Sequence, residues 1–212
     1  MSHLRTGRGQ RTCRLALLVL SSASLLSGCA PLVVGGVVIG TGVVVTDRRT
    51  TGIQLEDQTI EYKAESRAKS IATLGRVNVH SYNLLALVTG EVPTEADKAA
   101  VEKVVTGVEN VRHVVNELAV TPNASLTTRS SDTSLEAKVK ASFVDSADLQ
   151  ANAFRVVAER GTVYLLGRVT EREADRATAV ARAVPGVQKV VRVLEMMTEE
   201  ELAALNKASA PR

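Results

Sequence analysis

The chain has 212 residues, 26 Lys and Arg against 23 Asp and Glu, and a formal net charge of +3. Its basic excess suggests a polyanion partner, but four Arg and no acid fall within residues 1–28, and the remainder carries 22 basic against 23 acidic residues. A nucleic-acid partner is therefore excluded as the reading of that charge. With no Trp, two Phe and two Cys, any core must be built from Val, Leu, Ile and Ala, and it must hold by packing rather than by disulfides.

Arg5, Arg8, Arg11 and Arg14 form a positive start, Leu15 to Leu26 form a short apolar stretch, and Leu26-Ser27-Gly28-Cys29 closes it with small residues before a cysteine. The stretch is too short to span about 30 Å of hydrocarbon, which takes about 20 residues as a helix. This ending resembles the lipobox of bacterial lipoproteins. The resemblance implies that residues 1–28 are a removable signal peptide and that Cys29 becomes the new N-terminus, S-linked to diacylglycerol and N-acylated. Ala30 in place of Asp after the modified cysteine implies the outer membrane, with the chain anchored and facing the periplasm. No other cofactor is expected.

Residues 29–49 read as a lipidated tether, whose Ala30 to Thr46 run is rich in Gly and β-branched residues. It lacks the Lys-Ser/Thr ending of a phosphate-binding loop. From Asp47-Arg48-Arg49-Thr50 onward the pattern resolves into an internal repeat. Val77 to Val92 aligns without gaps on Phe154 to Val169, placing Gly90 on Gly167, and Gly107-Val108 corresponds to Gly186-Val187.

Each copy reads αββαβ. In the first, residues 50–121, the elements are expected at Asp57 to Leu74, Arg76 to Ser81, Leu84 to Val92, Thr94 to Thr106 and Val111 to Val120. Residues 122–131 read as a polar linker. In the second, residues 132–197, Thr133 and Glu136 suggest a capping box for a helix with Leu135, Val139 and Phe143 on its inner face. Phe154 to Glu159 and Thr162 to Val169 form a hairpin. Thr170 and Glu173 open a second helix with an Ala174, Ala177, Val180, Ala181 and Val184 stripe, and Val187 to Met196 closes the module. Residues 198–212 are a tail that extends as a helix over Glu199 to Leu205. The fold expected is α+β, with two modules that each pack a small three-stranded mixed sheet on two helices. Gly90 and Gly167 are expected to end strands, and Gly107 and Gly186 to terminate helices, all four as architectural residues.

The lipobox, the Asp47-Arg48-Arg49-Thr50 segment and the two glycine-marked αββαβ modules together resemble the dual-BON-domain outer-membrane lipoproteins. That resemblance implies a non-enzymatic protein supporting outer-membrane integrity, whose second module binds anionic phospholipid through its first helix. Carried onto this chain, the surface comprises Ser134, Ala137, Lys138, Lys140, Ala141 and Val144. Lys138 and Lys140 either meet phosphates, each contributing on the order of 1 kcal/mol near an anionic surface, or form the solvated face of the helix. Val144 belongs either to this face or to the core. Relatives can place an interfacial Trp near the helix start where this chain has Ser134, which weakens insertion. The alternative is an envelope adaptor whose modules bind a protein partner.

A catalytic site finds little support. His80 on a hairpin strand and His113 ahead of the last strand of the first module have no metal-ligand spacing and read as solvated surface histidines. Glu171 and Glu173, like Glu199 to Glu201, sit at helix starts where they favour the macrodipole. No Gly-x-Ser-x-Gly elbow is present, and no catalytic or metal-binding residue is expected.

Overall fold

The computed structural model describes residues 47–209. Cys29, the signal peptide and the tether up to Thr46 lie outside the described residues. The first module comprises α1 (Thr51–Ile71), β1 (Arg76–Tyr82), β2 (Leu85–Val92), α2 (Glu95–Thr106), β3 (His113–Asn116) and β4 (Ala119–Val120). The second comprises α3 (Leu126–Asp145), a 3₁₀ turn (Ala151–Ala153), β5 (Phe154–Glu159), β6 (Thr162–Val169), α4 (Glu171–Ala183) and β7 (Lys189–Met196), and α5 (Glu199–Ser209) follows. In each sheet the hairpin pairs antiparallel and the last strand joins parallel to the middle one. The fold is the expected α+β pair of small mixed sheets against helices.

Both first helices begin earlier than the sequence suggests, α1 by six residues and α3 by eight counted from cap to cap, and a buried aspartate stands at or beside each expected start. Thr50 caps α1 by accepting from Ile53 N, and Ser125 caps α3 by accepting from Thr128 N. Asp57 and Asp132 are polar residues in the inward stripes of these helices, and a polar residue there imitates a helix start. The proposed Thr133–Glu136 capping box is thus mid-helix, with the Thr133 hydroxyl donating to Arg129 O. Of the polar linker only residues up to Ser125 are non-helical.

The closing strand expected over Val111 to Val120 is broken. β3 and β4 both pair with β2, and between them Leu118 is 2% exposed and turns inward while its N–H donates to the Asn116 side chain. Gly90 and Gly167 lie inside β2 and β6, not at their ends. Gly186 has φ of +104°, whereas Gly107 caps α2 at −81°, where any residue is accommodated. The capping box of Thr170 and Glu173 forms as expected, and α5 runs beyond Leu205 to Ser209.

One core lies between each sheet and its own helices. Ile60, Ala64, Val79, Val88 and Val101 belong to the first, and Val139, Phe143, Leu165 and Ala177 to the second. A third apolar layer joins the modules: Tyr82 and Leu87 of the first sheet meet Val157, Tyr164, Leu166 and Val193 of the second. Alternate residues of β2 and β6 therefore serve two cores, and each fully buried Val or Leu contributes about 1.5–3 kcal/mol.

Polar bonds rim this seam. Arg76 reaches Glu159, Arg155 reaches Glu61 and Ser81 O, and Asn83 reaches Glu195. The Asp47-Arg48-Arg49-Thr50 segment fastens it from one end. Arg48 donates two bonds to Glu173 at 2.7 and 2.8 Å and one to Arg168 O, while Arg49 pairs with Asp57 at 2.7 Å and lies 4.1 Å from the centre of the Tyr82 ring. Consecutive arginines thus hold the segment to different modules.

Candidate functional site

The surface expected on the second module's first helix is the outer face of α3. Leu135, Val139 and Phe143 are buried against the sheet, with Phe143 edge-on to Phe154 at 5.4 Å. Ser134, Ala137, Lys138, Lys140, Ala141 and Val144 are all exposed. Val144 is 72% exposed and lies on the surface, not in the core.

The six residues do not share one pocket. Lys140 and Val144 line a cavity of about 490 Å³ at the module seam, together with Asp47, Arg49, Tyr82 and Arg155. Ser134 and Lys138 line a groove of about 680 Å³ on the other flank, together with Arg160 and Gly186. Lys140 donates to Glu136 one turn back at 2.6 Å, while Lys138 has no ion-pair partner among the described residues.

Sequence reasoning missed the residue that shapes the second groove. Asp132 accepts from Arg160 N at 2.8 Å and Gly161 N at 3.0 Å, clamping the β5–β6 turn onto α3. Asp57 does the same in the first module, accepting from Asn83 N and Leu84 N, both at 2.8 Å. Both turns have positive φ at each central residue, as a two-residue hairpin requires. The missed signal was the repeat itself: an acid stands in the inward stripe of each first helix.

His80 is not a solvated surface residue. It is half-buried at the seam, and its Nδ1 lies 3.2 Å from the Arg155 guanidinium. A guanidinium only donates, so Nδ1 accepts and the ring is neutral with its proton on Nε2. Burial, then the Arg155 charge, push its pKa down to about 4. The unfolded ring protonates near pH 6.5 and the folded one only near 4, so stability is lost as pH falls across that window. Urea midpoints at about pH 7 and pH 4.5 test this: the wild type is expected to lose more between them than His80→Gln, and equal losses would refute it. His113 is exposed, and no group of three or more metal-ligating side chains occurs among the described residues.

No described helix is long and apolar enough to cross a membrane. The BON domain family model matches twice, over residues 62–122 and 131–197. The chain is 37% identical over 187 residues to the outer membrane lipoprotein DolP of Haemophilus influenzae, covering 87% of this chain and 96% of that protein. It is 29% identical over 151 residues to a 21 kDa hemolysin of Actinobacillus pleuropneumoniae, covering 70% of this chain and 78% of that one. A solved structure of CdsD, a structural protein of the Chlamydia trachomatis type III secretion system, aligns with 14% identity and a TM-score of 0.29, over 71% of this chain and 98% of that one.

Proposed function

Because the chain belongs to the BON-domain family, as a dual-BON-domain outer-membrane lipoprotein, we propose that its second module binds anionic phospholipid through the outer face of α3. The protein acts as a non-enzymatic support of outer-membrane integrity, held at the periplasmic face by acyl chains on Cys29. A multi-chain anchor of this kind is effectively permanent, since each buried methylene contributes about 0.8 kcal/mol.

The observation that carries the reading is the character of α3's exposed face. Small Ser134, Ala137 and Ala141 allow close approach to a flat surface, Val144 offers an exposed apolar side chain, and Lys138 and Lys140 supply positive charge. Each lysine is expected to contribute on the order of 1 kcal/mol near an anionic leaflet, less at high salt. The likeness to a protein named a hemolysin is in keeping with membrane contact.

The test is flotation of the unlipidated protein with vesicles. Binding to vesicles containing anionic phospholipid is expected to exceed binding to neutral ones, to weaken with salt, and to fall at least tenfold in the Lys138→Glu/Lys140→Glu double variant. Equal binding to neutral and anionic vesicles would reject the proposal.

A further inference from the structure

Two cations on different elements face one groove. Lys138 comes from α3, and Arg160 comes from the β5–β6 turn that Asp132 clamps against that helix. Arg160 has φ of +52°, and its side chain is 43% exposed. Its nearest carboxylate oxygen is Glu91 Oε1 at 3.7 Å, beyond hydrogen-bond distance, and that oxygen has no hydrogen-bond partner among the described residues. Asp132 is the one carboxylate lining the groove, and it is 6% exposed with each oxygen already accepting a backbone N–H. Lys138 and Arg160 are thus the two cations among the lining residues, Arg160 also serving as the ion-pair partner of the buried Glu91 behind it, and the groove's own carboxylate has no oxygen free of a hydrogen bond.

The wall between them is made of hydroxyls. Ser131 donates to Thr127 O and Ser134 donates to Ser130 O, both at 3.0 Å. With their protons turned back into the helix, these side chains offer lone pairs outward and behave as acceptors. A ligand that satisfies the whole groove carries an anion for Lys138 and Arg160 and donor groups for the serines.

We propose that this groove is a phosphate-ester site, with Arg160 as a second phosphate-binding residue beside Lys138 and the serine oxygens receiving donors on the ester's substituent. The inference rests on the lipid-binding reading and extends it from the face of α3 to a site partly built by a turn 22 or more residues away in sequence from Lys138. The shared chemistry is a phosphate ester, carried either by a lipid headgroup or by a small soluble molecule.

The experiment uses the full chain with Cys29→Ser and compares Arg160→Gln, Lys138→Gln and, as an equal charge change on the exposed outer side of α2, Lys103→Gln. Arg160→Gln keeps the backbone N–H that Asp132 accepts, and thermal melts check that it folds. Against vesicles of phosphatidylcholine with phosphatidylglycerol, Arg160→Gln and Lys138→Gln are each expected to bind about fivefold more weakly than wild type, the loss that about 1 kcal/mol per cation implies, while Lys103→Gln binds like wild type. Arg160→Gln matching Lys103→Gln overturns the inference even where Lys138→Gln weakens binding. A wild type that does not prefer these vesicles to pure phosphatidylcholine overturns the lipid reading instead. Amide shifts at Gly161 and Gly186 with glycerol phosphate mark a site that takes the soluble ester, and the same shifts with vesicles alone mark a headgroup site. Shifts at neither residue with either probe overturn the site.

Discussion

Asp57→Ala is expected to destabilise the first module by about 3–5 kcal/mol, the range for removing one partner of a buried ionic network. Asp57 is 2% exposed and accepts four bonds: from the Ser81 hydroxyl at 2.6 Å, from Asn83 N and Leu84 N at 2.8 Å, and from Arg49 at 2.7 Å. Alanine leaves two backbone N–H groups without an acceptor and Arg49 without one of its two carboxylates. It also frees a turn in which Leu84 sits at φ of +68°, a conformation that costs an L-residue about 1–2 kcal/mol and persists because neighbours hold it. Against a typical total of about 5–15 kcal/mol, the loss is a large share of the whole. Urea denaturation followed by circular dichroism measures it, with Asp148→Ala as the control. Asp148 is an exposed partner of Arg176, and its loss is expected to cost no more than about 1 kcal/mol. Similar midpoints for the two variants would show that the clamp contributes little.

The same two aspartates explain what the sequence made legible and what it hid. Order and type of elements follow from the repeat, because hairpin alternation and capped amphipathic helices are local patterns. The starts of α1 and α3 were misplaced because helix starts are recognised by polar residues: Asp57 and Asp132 are polar for a tertiary reason, and Thr133 beside Asp132 bonds back to Arg129 O within the helix. The acceptors of the two aspartates serve N–H groups more than 25 residues downstream. The seam was hidden differently. The alternation of β5 was legible, but Val157 and Glu159 on its second face look solvent-facing when one module is considered alone. The near-continuous apolar runs of β2 and β6, Leu85 to Val88 and Val163 to Leu166, are what burial on both faces looks like. The resemblance singled out this helix, α3, and helical spacing then indicated which of its residues face outward, Val144 excepted, and all six are exposed. Arg160 was not legible, since no spacing rule brings a hairpin turn beside a helix that precedes it.

Glycine identity at the repeat-matched positions is expected to matter in a graded way, and Gly90→Ala is the severe end. Gly90 pairs with Val77 across the first hairpin at φ of +118°, and an added Cβ would lie 1.9 Å from Arg76 O. Neither atom can yield cheaply, since both belong to the backbone of paired strands. Relief requires β1 to separate from β2 at the residue whose side chain holds Glu91 and Glu159, so the hairpin and the seam are disturbed together. With strain and lost pairing combined, about 3–5 kcal/mol is expected, at the top of the range for single substitutions. Gly167→Ala is expected to cost less: its Cβ would meet Ala153 O at 2.6 Å, but its φ lies outside the left-handed region and Ala153 belongs to a short turn rather than a strand. Gly107→Ala is expected to be neutral or to stabilise by about 0.4–1 kcal/mol, because its φ is −81°, its nearest contact would be 3.5 Å, and alanine restricts the unfolded chain. Thermal melts of the three variants order them. Gly90→Ala melting within a degree or two of Gly107→Ala would mean that the first hairpin does not need this backbone, and that its glycine matches Gly167 without sharing a structural cause.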